Sequence, residues 1–192
     1  IAGRKDLPAG LLHKNDPQPE FVAIRGTKAA VTLQENNGVM VFDVAEAVEK
    51  PAKADRSVDK IFELGRAADR PADLTDNDDI DLSETFPSGV DPEENDDPGV
   101  RTPDAIAWSA DGRVLYTADE GEGDYSGGRG WSAWNSKTGA PVWEETVLEQ
   151  IAARFGHYPD SRSDAKGIEI EGMATAVYNG RPLALVGSER GS

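Results

Sequence analysis

The chain has 192 residues, enough for one sizeable domain with a real core, and its 20 glycines and 12 prolines point to many turns rather than a helical bundle. It contains no cysteine, which excludes disulfides, zinc–thiolate sites and thiol catalysis. A net charge of −16 with no basic patch argues against a nucleic-acid partner, and no run is long and apolar enough to span a membrane. Hard cations are the natural counterweight to so many carboxylates.

Residues 1–18 read as an extended lead-in carrying Pro8 and Pro17. The chain begins at Ile1 and not at Met, which reads as a processed, trimmed or partial product. Blade-like unit one spans about 19–65. Its strands are expected at Val22 to Ile24, Ala29 to Leu33, Val39 to Val44 and Ile61 to Leu64, with a turn at Asn36-Asn37-Gly38 and a charged excursion over 46–58. Residues 66–100 form an acidic insertion without periodicity, the kind of segment that is either functional or disordered. Unit two, about 101–143, carries strands at Ala105 to Trp108, Val114 to Ala118, Trp131 to Asn135 and Ala140 to Trp143. A helix is expected over Glu144 to Phe155, with Val147, Leu148, Ile151, Ala152 and Phe155 on its apolar face, then a loop to 168. Residues 169–192 supply two strands of a third unit.

One pattern organises these units. An acid opens an apolar run, a turn follows, and a second apolar run ends in another acid: Glu20 with Glu35, Asp104 with Glu120, Glu171 with Glu189. Repetition of a hairpin this size marks a radial β array. The expected fold is therefore all-β, a partial β-propeller of about two and a half blades with one inserted helix. Propellers typically close with roughly four to eight blades, so the chain reads as a segment of a longer one, partnered by the remainder of its own propeller. A compact non-propeller sheet built from the same hairpins is the alternative.

Hairpin geometry puts all six acids on one rim. Crowded carboxylates repel unless they bind cations or take up protons, and Ca²⁺ accepts six to eight oxygens in flexible geometry. The rim reads as a Ca²⁺ site, or else as carboxylates that fix turns by accepting backbone N–H bonds. In the acidic insertion, Asp73, Asp76 and Asp78 are further candidate ligands. An EF-hand register over Asp73, Thr75, Asn77, Asp81 and Glu84 lacks flanking helices and has Asp78 where Gly belongs, leaving a looser Ca²⁺ loop or a solvated excursion. Arg162, Lys166 and Arg190 flank the third hairpin and suit an anionic ligand, or pair with rim acids. His157 is a weak general acid–base candidate against a surface role. Trp108, Tyr116, Trp131, Trp134 and Trp143 read as packing. Nucleophile-elbow, P-loop, zincin and dinucleotide motifs are absent from the sequence.

VTLQENNGVMVFDV (Val31 to Val44), PDAIAW…TADEGEGDY (Pro103 to Tyr125) and DSRSDAKGIEIEGMA (Asp160 to Ala174) resemble the bacterial choice-of-anchor I proteins, as does the acidic DLTDNDD, Asp73 to Asp79. These are secreted, periplasmic or surface-attached β-propellers, often labelled alkaline phosphatases and similar to phytase-like or esterase-like propellers. The chain departs from the family pattern with Asp119 in place of the usual Asn and Asp79 in place of the usual Gly. The resemblance implies a secreted Ca²⁺-binding protein that hydrolyses phosphate esters, its rim holding the metal and Arg162, Lys166 and Arg190 orienting an anionic small-molecule substrate. The alternatives are a non-enzymatic adhesion propeller with structural Ca²⁺ and an extracellular ligand, and a lactonase-like propeller.

Overall fold

The computed structural model describes residues 4–51, 57–91, 93, 95, 97–123 and 125–191. Residues 52–56 of the expected charged excursion, 92, 94 and 96 of the acidic stretch, Asp124 of the second family motif and residues 1–3 and 192 lie outside them. The first sheet is an antiparallel meander in the order β1 (Pro19–Arg25), β2 (Lys28–Leu33), β3 (Gly38–Asp43), β4 (Val58–Glu63). Asn37 takes a left-handed backbone (φ 55°) after a short 3-10 turn, which is how the Asn-Asn-Gly sequence reverses the chain. Where the charged excursion was expected, Val44–Glu49 forms a short helix, α1, because the Asp43 side chain caps the Glu46 N–H at 2.9 Å.

Residues 67–90 of the acidic insertion form more regular structure than their composition implies. β5 (Arg70–Ala72) pairs with β6 (Glu84–Phe86), and Ala67, Ala72, Phe86 and Val90 make a small core of their own. Few apolar residues suffice because Asp73 takes over the work of a turn. Its buried carboxylate accepts from the Thr75 N–H and hydroxyl and from the Asp81 N–H, at 3.0 to 3.1 Å.

The second four-stranded sheet runs β7 (Thr102–Trp108), β8 (Val114–Gly121), β9 (Gly127–Asn135), β10 (Pro141–Glu144). The helix α2 is shorter than expected, Leu148–Arg154. Glu144 belongs to β10, paired with Ser132, and its carboxylate is held by Arg70 (2.7 Å) and Arg101 (2.5 Å). The helix also buries a different face. Leu148, Ala152 and Ala153 pack inward with Glu149, while Val147, Ile151 and Phe155 are exposed. The last sheet is the hairpin of β11 (Ile170–Tyr178) and β12 (Arg181–Ser188).

The sheets stack face to face like blades. Ala30, Val39, Val41 and Phe62 of the first meet Ile106, Leu115 and Trp134 of the second. Ala105, Ala118 and Trp131 on the other side of the second meet Ile168, Ile170, Met173 and Val186. Trp108 donates its indole N–H to the Ala23 carbonyl (3.0 Å), and its own carbonyl accepts from the Thr175 hydroxyl (2.7 Å), so β1, β7 and β11 lie in sequence along one side.

Candidate functional site

Each of the three hairpins carries a β-bulge at the same place. The register slips between Pro19 and Val22 in β1, between Pro103 and Ile106 in β7, and between Ile170 and Gly172 in β11. The acids Glu20, Asp104 and Glu171 fall inside those slips. A bulge re-aims the side chain that an alternating strand would send to a fixed face. Here the same device occurs on three neighbouring strands, and it turns three acids toward one end of the array.

Among the described residues, two groups of three carboxylates bring oxygens within 4.8 Å of one another: Asp104, Glu120 and Glu171, and Glu169, Glu171 and Glu189. Glu171 belongs to both. The electrostatics report the crowding. Partial burial, then Glu120 and Glu20, push Asp104 up to about 6. Burial, then the charges of Glu120 and Glu189, a hydrogen bond with Glu189 and the charge of Asp104 push Glu171 up to about 7. Glu122 is raised by burial, Glu120 and Glu35 despite the opposing pull of Lys166. Glu20 and Glu35 thus act on the same charge cluster, but neither joins a group of three. Phe21, Asp104, Glu171, Gly172, Gly187, Ser188 and Glu189 line an open depression of about 370 Å³ at this rim. The cross-strand pair Gly172 and Gly187 lines it, each so close to the other that an added Cβ would come within 3.2 to 3.4 Å of the partner glycine's Cα.

The three bases predicted to orient a substrate are already engaged. Arg162 pairs with Glu169 at 3.1 Å, Arg190 with Glu169 at 3.4 Å and Glu189 at 3.2 Å, and Lys166 with Glu120 at 3.2 Å and Glu122 at 3.3 Å. They converge on Glu169, which is only 2% exposed. His157 is exposed in the loop after α2. In the insertion, Asp73 faces the N–H groups of its own turn, Asp76 and Asp78 are exposed, and none of the three joins either carboxylate group.

Glu169 and Glu122 went unnoticed in the sequence because neither opens nor closes an apolar run. A signal existed for Glu169. It stands between Ile168 and Ile170, both buried, so an acid there needs counter-ions. Asp119, at the family's usual Asn position, is buried and raised by desolvation, against which Arg101 (3.3 Å), Ser132 and Thr117 (2.7 Å) hold it.

The fold and rim define an all-β, partial propeller-like array that presents a carboxylate cluster shared between its second and third sheets. Residues 124–192, roughly the last third of the chain, match the choice-of-anchor I domain model, which covers the third hairpin with Glu169, Glu171, Glu189 and their bases. This match points to an extracellular or cell-surface bacterial protein; the phytase-like and alkaline-phosphatase labels gain nothing from it. No curated protein and no solved structure matches the chain. No helix among the described residues is long and apolar enough to cross a membrane.

Proposed function

We propose that this extracellular or cell-surface domain binds a divalent cation, Ca²⁺ by its chemistry, at the bulge-borne rim. The observation that carries the reading is the group Asp104, Glu120 and Glu171, whose oxygens lie within 4.8 Å of one another. The residues present fit the ion. The donors are all oxygens, and the open depression leaves room for the further ligands that Ca²⁺ takes. Protonation is the other way to relieve the repulsion, which adds to burial in raising Asp104 and Glu171. Asp104 is on β7 and Glu171 on β11, so a cation held by both ties two sheets together. Asp73, Asp76 and Asp78 are left out of this site.

Between binding and hydrolysis of phosphate esters, the side chains favour binding. A phosphate needs free cationic donors, and Arg162, Lys166 and Arg190 each already hold a carboxylate. Isothermal titration of the chelator-treated protein with Ca²⁺ tests the proposal. Micromolar binding that raises the melting temperature supports it, and absence of binding below millimolar Ca²⁺ overturns it. Chelator-sensitive turnover of a phosphomonoester by the same preparation would restore the hydrolytic reading.

A further inference from the structure

Helix α2 docks against β5 and β9. Leu148, Ala152 and Ala153 form the apolar part of its inward side, and Glu149 lies among them, 2% exposed. The room for its carboxylate comes from Gly167, where an added Cβ would run into Glu149 Oε1. A carboxylate this deep ordinarily has an ion-pair partner. Glu149 has none among the described residues, and neither Oε meets a side-chain donor. The two bases that face it are committed elsewhere. Arg129 on β9 gives Nη1 and Nη2 to the carbonyls of Asp73, Ser163 and Ala165, and Arg70 on β5 pairs with Glu144 at 2.7 Å. Glu145, just ahead of the helix, adds a like charge, and Tyr158 faces Glu149 from the loop behind it. The Ile168 N–H is turned toward the carboxylate.

An unpaired ion is costly in such a place, so the neutral acid is the form that the packing accommodates. The geometry points to Glu149 as a proton-operated latch on α2: neutral, it lets the helix dock on β5 and β9, and on ionising it drives the helix off. Burial raises the Glu149 pKa from its ordinary 4.5 against the pull of Arg129, Arg70 and the Ile168 N–H, which agrees with this assignment. The segment 163–167 rests on the same two side chains. Arg129 holds the Ser163 and Ala165 carbonyls, and Glu149 fills the place beside Gly167. That segment carries Lys166, the partner of Glu120, which connects the latch to the carboxylate rim.

A group whose folded pKa is raised contributes stability that is full below its unfolded value and is lost as pH rises through the folded one. Opening of α2 is therefore expected to grow about tenfold per pH unit above about 4.5, and to level off once the folded-state value is passed. Hydrogen exchange of the backbone amides over 148–155, followed by mass spectrometry from about pH 5 to 9, reads this opening. Comparison with Glu149→Gln at each pH cancels the base catalysis of exchange itself. The expected result is protection that falls with pH in the parent, relative to Glu149→Gln, by about tenfold or more across that range. Equal pH dependence in parent and variant overturns the proposal. A second measurement needs no variant: carbon-13 NMR titration of the Glu carboxyls in the unmodified chain. The expected result is a Glu149 signal that titrates above the ordinary carboxylate range, with the α2 amide signals changing alongside it. A Glu149 signal that titrates at or below about 4.5 also overturns the proposal.

Discussion

Glu171 is the carboxylate shared by both groups of the rim, and Glu171→Gln isolates the cost of its charge. Gln keeps the size and hydrogen-bonding reach of the side chain while fixing it neutral. In the folded protein Glu171 sits at about 7 against an ordinary 4.5, so folding raises its affinity for a proton. Stability associated with such a group is fully present below about pH 4.5 and is lost as pH rises through about 7. Fully converted, that difference is about 3 kcal/mol at pH 8. The rim opens to solvent and several charges share the cost, so screening reduces it to about 1 kcal/mol. For a chain of this length, that corresponds to roughly 2–4 °C in melting temperature. Metal-free Glu171→Gln is therefore expected to melt above the parent at pH 8, with the two converging near pH 4. Calorimetry in chelator at both pH values measures this. Adding Ca²⁺ at pH 8 should reverse the order, since a ligand at a hundredfold its Kd stabilises by about 2.7 kcal/mol and the variant has lost a shared oxygen charge. A variant that melts below the parent at pH 8 without metal would refute the crowding argument, because Glu171 would then be stabilising as an anion.

Removing Lys166 as Lys166→Met takes the cation from between Glu120 and Glu122 and should lower metal-free stability at pH 8 while tightening Ca²⁺ binding, both read by titration and melting. Arg101 is buried, pairs with Asp119 and Glu144, and donates to the carbonyls of Leu64 (2.7 Å) and Arg66. Arg101→Met should cost about 3–5 kcal/mol in urea unfolding, and Asp119→Asn should recover part of that loss. Gly167 has a left-handed backbone (φ 64°) and a Cβ there would overlap the Glu149 carboxylate, so Gly167→Ala should destabilise by about 2 kcal/mol or more, measured in the same assay.

Most strands of the two full sheets were legible because alternation and turn chemistry coincide in them. Ser109-Ala110-Asp111-Gly112 shows why. The Asp111 carboxylate accepts from the Ser109 hydroxyl (2.8 Å) and the Arg113 N–H (3.0 Å), and Gly112 takes the positive φ the turn requires. Helix α2 was misjudged because apolar periodicity does not say which side faces the core. Glu149 is buried on it while Phe155 is exposed, and the buried Arg129 and Arg70 nearby, whose charges oppose the burial-driven rise in the Glu149 pKa together with the Ile168 backbone N–H, make that arrangement intelligible. Arg129 also gathers the insertion and the 163–165 loop, donating to the carbonyls of Asp73 (3.3 Å), Ser163 (2.8 Å) and Ala165 (2.6 Å). These contacts join residues distant in sequence, so no local pattern announces them.

The rim was legible in part for a different reason. Pairing the first and last residues of each hairpin places the acids at one end without any knowledge of side-chain direction. Direction is set by the bulges, and a bulge adds one residue to one strand without a dedicated residue type. Glu35 shows the limit of the simple rule. It occupies the same place in its hairpin as Glu120 and Glu189, but it sits in the 3-10 turn after β2 and stays outside both carboxylate groups. The bases, equally legible by position, were open to two uses, and the burial of Glu169 favours one of them. An acid that is 2% exposed must keep its counter-ions, so Arg162 and Arg190 remain with it. Lys166 is in turn held by Glu120 and Glu122. The surplus at the rim is negative, a condition that a hard cation relieves and an incoming phosphate would worsen.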